Sequence, residues 1–204
     1  MTTTSERRSV LIVVADPNAS GKTTFTTQVL DHQWLKDSEY INPDYVALNN
    51  FGDLNDKDAV LKAANYCNEW REQCLAERRS MIFESVMSAK DKVDFVIRAK
   101  RAGFFIRLFS IATQSPVINA GRIANRLMNG CHDVPTDKIV SRYPKSIANC
   151  KVLSSVVDRL CVYDNSTDGQ MPQLLFRLSD GELKNLYVDT LPRWASEILD
   201  APHL

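Results

Sequence analysis

"SVLIVVADPNASGKTT" (residues 9–24) reads as a strand, a turn and the start of a helix. Its first seven residues are a continuous, β-branched apolar run, the pattern of a strand covered on both faces. The turn closes with Gly21-Lys22-Thr23, the end of a phosphate-binding loop, and a helix should start at Gly21. Such a loop works because backbone N–H groups and a helix N-terminus converge on phosphate, while Lys reaches the terminal oxygens and a hydroxyl holds magnesium. Asn18, Ala19, Ser20, Gly21, Lys22, Thr23 and Thr24 supply these parts, with Lys22 on the β and γ phosphates and Thr23 as the metal ligand.

Two positions depart from the glycine-rich pattern: Asp16 stands where the first glycine is expected, and Ala19 where a later one is. A non-glycine residue in left-handed backbone costs about 1–2 kcal/mol, and Asp tolerates that region better than most. Charge is the larger objection. A carboxylate about 5.5 Å from one phosphate charge costs about 3 kcal/mol at an effective dielectric near 20, and under about 1 kcal/mol when water screens it. Asp16 must turn outward, or binding weakens. The competing reading is an ordinary strand-to-helix turn with a chance GKT; the strand before and the helix after favour a working loop.

Outward from this stretch, strands and helices alternate. "YINPD" (40–44) is a short strand ended by Pro43. From 57 to 79 Val60, Ala64, Cys67 and Cys74 keep a helical period, and "SMIFESVM" (80–87) follows as a strand. Residues 89–102 form an amphipathic helix closed by Gly103, and "FFIRLFSIA" (104–112) is the next strand. Helices dominate until "RLCVYDN" (159–165), after which two strand-like runs flank Asp180-Gly181, a hairpin signal within 173–188. "LPRWASEIL" closes the chain as a helix. This alternation predicts an α/β fold, with a mainly parallel sheet between helical layers.

The 204 residues, 44% hydrophobic, suit one domain over 1–204, preceded by a flexible tail at 1–8. Lys and Arg total 25, as do Asp and Glu, so no global field favours a nucleic acid or an anionic membrane. No segment approaches the roughly 20 apolar residues of a membrane span, and "VLIVVA" is too short for a signal-peptide core, so the expected location is the cytoplasm. The five cysteines form no CxxC pair and accompany only three histidines, which argues against structural zinc. Cys67 and Cys74, seven apart on a helix, read as small core residues. "CHD" (131–133) carries no sign of an activated thiolate. Trp34, Trp70 and Trp194 suggest core packing.

The loop "ADPNASGKTT" resembles the "GPNGSGKTT" loop of the zeta toxin-like kinases. The resemblance continues, in the family's order, through "INPD" (41–44), "FESVMS" (83–88), "GRIANRLMNGCHDVPTDKIVSRYPKSIAN" (121–149) and "LCVYDNS" (160–166). It implies a three-layer P-loop kinase fold with a helical lid. It also implies Mg2+-ATP (or GTP) as phosphoryl donor and a sugar hydroxyl of a nucleotide sugar such as UDP-N-acetylglucosamine as acceptor. A nucleotide-binding regulatory module without turnover, or a kinase of another metabolite, an antibiotic or RNA, stands as the alternative. Neutral net charge weighs against RNA. An antitoxin protein is the partner that the resemblance implies.

The remaining motifs can be placed on this frame. Asp44 lies at the carboxyl end of the second strand, the ligand edge of an open α/β sheet. A kinase needs a carboxylate to orient or deprotonate the attacking hydroxyl, and Asp44 matches the family's acidic residue; a helix cap after Pro43 is the other reading. Glu84, with Ser85 and Ser88, is assigned by the resemblance to the acceptor. A buried carboxylate among apolar neighbours needs either a substrate hydroxyl or a basic partner. Residues 116–146 read as the lid. There Ile123 and Leu127 form an apolar seam, Arg122 and Arg126 a basic stripe, and Lys138, Arg142 and Lys145 a second one, until Pro144 kinks or breaks the helix. Arg126 and Arg142 are the candidates for closing over the phosphates, against a merely solvated face. His132 braces the lid turn. Asn165 could meet a base edge, with Asp164 or Ser166 ordering the turn, or "DNS" is turn chemistry alone.

Overall fold

The computed structural model describes residues 8–15, 17–22, 25–27, 37–52, 56–128 and 135–200. Among them, β1 (Val10–Ala15), β2 (Glu39–Ile41), β3 (Met81–Ser85), β4 (Phe105–Ala112), β5 (Arg159–Asp164), β6 (Gln173–Ser179) and β7 (Glu182–Leu186) form one sheet. Their order is β2-β3-β1-β4-β5-β6-β7. The first five strands run parallel, and β6 and β7 add an antiparallel extension. The helices are α1 (Pro43–Val46), continued by a π-helical turn (Ala47–Phe51), α2 (Lys57–Ala76), α3 (Lys90–Arg101), α4 (Pro116–Met128), α5 (Thr136–Ser154) and α6 (Arg193–Leu199).

Strand alternation splits the core in two. Leu11, Val13 and Ala15 of β1 face one layer, where they join Cys67 of α2, Val96 of α3, Ile147 and Leu153 of α5 and Ile198 of α6. Ile12 and Val14 face the other, with Phe25 of the helix after the loop, Phe109 and Ile111. Leu11 through Val14 are wholly buried, which is why this strand carries no polar residue. The sheet is thus the middle of three layers. At its far edge the Asp180-Gly181 turn joins β6 to β7, which is exposed along its whole length and carries the Lys184–Glu182 pair. Charges of this kind discourage edge-to-edge pairing.

Three local expectations need correction. Helix α2 buries Ala59, Ala63, Cys67, Arg71 and Cys74, while Val60 and Ala64 are only half-buried. The stripe includes a cation because the Arg71 guanidinium lies over the Phe83 ring (5.0 Å) and the Phe95 ring (5.9 Å). Helix α5 passes through Pro144 without breaking. Its buried face, Tyr143, Ile147, Cys150 and Leu153, fastens both sides of the proline to the core, and the Val140 carbonyl that loses its partner belongs to a half-exposed residue. Finally, Ile123 is buried but Leu127 is 48% exposed, so the apolar seam of α4 is shorter than its spacing suggests. The stretch expected as a lid therefore divides: α5 is a packed layer helix beyond its first turns. Residues 129–134, with Gly130, Cys131 and His132, lie outside the described residues, as do Trp34 and residues 1–7. Trp194 is buried and Trp70 packs against the core. Cys67, Cys74, Cys150 and Cys161 are free thiols, and burial pushes the Cys150 thiol up to about 11.

Asp158, just before β5, ties the sheet to its flank. Its Oδ2 accepts from the Ile106 amide (2.8 Å) and its Oδ1 lies 3.0 Å from Lys100 and 3.3 Å from Arg8. Burial opposes its charge, but these donors outweigh burial and hold the carboxyl below its ordinary range. A depressed carboxylate adds stability above its unfolded pKa, about 3.9, and that stability is lost as pH falls through the lower folded value. Asp158→Asn should cost about 1–3 kcal/mol at pH 7, with Lys100 and Arg8 partly exposed and so partly screened. Urea titrations at pH 7 and pH 3 check this: the gap between variant and wild type should narrow at the lower pH.

Candidate nucleotide and acceptor site

The loop leaves β1 at the carboxyl edge of the parallel strands, between β3 and β4, where the chain's crossovers change direction. Ala15 pairs with Ser85 on one side and Ser110 on the other, so the loop stands over the middle of the sheet. Phe25 N donates to Gly21 O (3.2 Å), the first turn of the following helix, and Lys22, half-buried, is its first helical residue. Asp16, Thr23 and Thr24 lie outside the described residues.

Ala19 has φ 61° and Gly21 φ 103°. The first costs about 1 kcal/mol for a residue with a Cβ. Alternating backbone handedness of this kind gathers N–H groups on one side of a turn, the concavity that holds anions. The carbonyls on the other side have partners from distant parts of the chain. Asn119 Nδ2 donates to Asn18 O at 2.5 Å and Asn165 Nδ2 to Ser20 O at 2.7 Å, while Arg122 Nη1 reaches Ala19 O only at 3.5 Å. Ser20, fully buried, donates its hydroxyl to Ile111 O (2.8 Å) and also lies 3.0 Å from Pro17 O. Asn18 Oδ1 is buried without a hydrogen-bond partner among the described residues.

Asn119 was missed by sequence reading. It is wholly buried in α4, its Oδ1 accepts from the Thr113 hydroxyl, and Thr113 O in turn accepts from the Tyr143 hydroxyl of α5. Burial pushes the Tyr143 phenol up to about 12, which keeps it a donor. The available signal was an asparagine four residues before Ile123, on the helix's apolar face. Arg122, placed by its spacing in a basic stripe, is held by Asp168 at 2.6 Å after β5. Asn165 is at the loop rather than only in its own turn, and Ser166 donates to Asp164 (2.6 Å) and accepts from Gln114 N (2.8 Å). Arg126 is exposed on α4 and Arg142 half-buried on α5.

The acidic residues sit across from the loop. Glu84 is one register position from the end of β3, beside Val14, on the face that holds Phe25. Sequence reasoning expected a substrate hydroxyl or a basic side chain as its partner; the structure supplies a phenol. Tyr40 donates to Glu84 Oε1 at 2.6 Å, Asn42 Nδ2 donates to Tyr40 at 2.8 Å, and Asn42 Oδ1 caps Asp44 N at 2.9 Å. Burial raises the Tyr40 pKa, and its bond to Glu84 adds to that, so the phenol keeps its proton. Asp44 is solvent-exposed in the first turn of α1. Ser85 accepts from Met87 N (3.1 Å), and Ser88 is half-buried one residue beyond Met87. A separate cavity of about 440 Å³ between α5 and α6, lined by Tyr143, Ile147 and Trp194 among others, contains none of the predicted site residues.

No protein-family model and no curated protein sequence matches the chain. Solved structures do match its fold. The AvrRxo1-ORF1:AvrRxo1-ORF2 complex with ATP aligns with TM-score 0.64 and 14% identity over 88% of this chain and 61% of that one. The PezAT chromosomal toxin-antitoxin system of Streptococcus pneumoniae gives TM-score 0.60 and 15% identity over 97% and 86%. The Pnkp1/Rnl/Hen1 RNA repair complex gives 0.52 and 15% over 73% and 48%. The chain thus spans about three fifths of the AvrRxo1 chain and half of the RNA repair chain. At these identities the common property is the fold, a mainly parallel α/β sheet between helical layers. The motifs that resemble the zeta toxin-like kinases thus sit in a chain whose fold is similar to that of the PezAT structure.

Proposed function

We propose that this chain is a P-loop phosphotransferase, transferring the γ-phosphoryl group of ATP to a hydroxyl of a small metabolite. A nucleotide sugar such as UDP-N-acetylglucosamine is the favoured acceptor. The observation that carries the reading is the loop after β1: left-handed backbone at Ala19 and Gly21, outer carbonyls bonded to α4 and the β5 turn, at the carboxyl edge of a parallel sheet. Lys22 holds the phosphates, and Arg126 and Arg142 approach from the lid helices to neutralise the charge that spreads over the transferring group. Thr23 and the phosphate oxygens would hold magnesium, which supplies further neutralisation. Asp44, exposed in the first turn of α1 just after β2, orients and deprotonates the acceptor hydroxyl. Glu84, Ser85 and Ser88 bind the acceptor, Glu84 in an orientation that the Tyr40 hydroxyl fixes.

An antitoxin protein is the proposed partner, by analogy with the toxin-antitoxin system of the PezAT structure. Lid residues Val117 and Met128, 75% and 79% exposed, offer it apolar contact. Incubating the protein with Mg2+-ATP and a cell metabolite extract, followed by mass spectrometry, should give one product heavier by a phosphoryl group. ATP binding without any phosphorylated product would assign the chain instead to nucleotide-responsive regulators.

A further inference from the structure

We infer that Asn119 and Asn165 are positioning residues that set the phosphate loop from outside, doing for this chain what glycines do elsewhere. The inference rests on the phosphate-loop reading above and extends it to residues that touch no phosphate. Their contacts fall on alternate peptides: Asn119 holds Asn18 O, and Asn165 holds Ser20 O. In a planar trans peptide the N–H points opposite to the carbonyl, and the described chain contains no cis bond. Pinning these two carbonyls outward therefore turns the Ala19 and Gly21 amides to the opposite side. The intervening Ser20 N–H is already used, donating to Pro17 O at 3.3 Å. Among the described residues the matching Ala19 carbonyl has only the 3.5 Å contact with Arg122.

The residue between the two pinned carbonyls is Ala19, with φ 61°. Glycine would occupy that conformation freely, whereas alanine relaxes to negative φ once nothing holds its neighbours. Relaxation would rotate both peptides and disperse the amides. The clasp reaches the loop from two places far along the chain, and neither is adjustable: Asn119 is wholly buried and fixed by Thr113, and Asn165 is backed by its own N–H on Ala112 O at 2.8 Å. A second strained turn at the same sheet edge is built in the same way. Met87, φ 54°, has its carbonyl held by Asn149 Nδ2 of α5 at 2.8 Å.

The test is a double-mutant cycle in the full chain between Asn165→Ala and Ala19→Gly, with Asn119→Ser as the second clasp variant. Calorimetry would use Mg2+-ATP and magnesium tripolyphosphate, which has no base. Amide exchange of the 17–22 segment and Tm would be read without ligand. Asn165→Ala should weaken both ligands about tenfold, with faster exchange at Ser20, whose N–H the ordered turn holds on Pro17 O, and adding Ala19→Gly to Asn165→Ala should restore most of both losses. Loss of ATP but not tripolyphosphate affinity would make Asn165 a base contact and overturn the proposal. So would unchanged exchange, or a loss that Ala19→Gly leaves in place. Should wild type bind neither ligand, the kinase reading falls, and the exchange measurement still decides the clasp.

Discussion

Asp44→Asn is expected to lower turnover about 10³-fold while leaving the Kd for Mg2+-ATP within about twofold of wild type. The substitution keeps size and hydrogen-bonding capacity but removes the ability to take a proton. Asp44's backbone N–H stays capped by Asn42, so α1 should survive the change. A general base contributes typically 10²–10⁴ in rate, and a side chain that leaves the donor site intact affects kcat rather than ATP affinity. Steady-state kinetics with the identified acceptor and calorimetry with ATP separate the two quantities. The expected signature is a fall in kcat with equal Tm. If turnover persists, the base is not Asp44; Glu84, already bonded to Tyr40, is then the carboxylate to replace.

The parts of this site that could be read from sequence are those whose partners lie within a few residues. β1 announces itself by an unbroken apolar run, the loop by Gly21-Lys22-Thr23, and the β6–β7 hairpin by Asp180-Gly181. Asn165 and Asn119 reach carbonyls 145 and 101 residues away, and nothing in their neighbourhoods specifies that. Glu84 was singled out as a carboxylate in need of a partner. That the partner is Tyr40 depends on β2 lying parallel beside β3, with Tyr40 opposite Ile82, a register that emerges only when the sheet assembles. Pro144 misled for the same reason. Its local effect is to weaken a helix, but Tyr143 on one side and Ile147 on the other are both anchored in the core, and packing overrides the local preference.

Gly21→Ala should weaken nucleotide binding more than any single change to the clasp. Two costs combine at this position. The backbone stands at φ 103°, where any L side chain is strained by about 1–2 kcal/mol, and a Cβ built there collides with the Asn165 amide nitrogen. That nitrogen belongs to a half-buried side chain fixed to Ser20 O, so moving it breaks the 2.7 Å bond and loses about 1 kcal/mol more. The sum, about 2–3 kcal/mol, corresponds to roughly a 10²-fold loss of affinity if it falls wholly on the binding-competent loop. Gly103 provides the control: its φ is 91°, but a Cβ there meets nothing within 4 Å, so Gly103→Ala should lower Tm without touching ATP affinity. Adding Asn165→Ala to Gly21→Ala removes a side chain already displaced from Ser20 O and leaves the backbone strain, so the double variant should bind about as weakly as Gly21→Ala alone. Calorimetry with Mg2+-ATP and Tm on all four proteins distinguishes these terms. A Gly21→Ala protein that binds ATP within twofold of wild type would mean that the loop reaches its ligand in some other conformation, with Asn165 playing no part in shaping it.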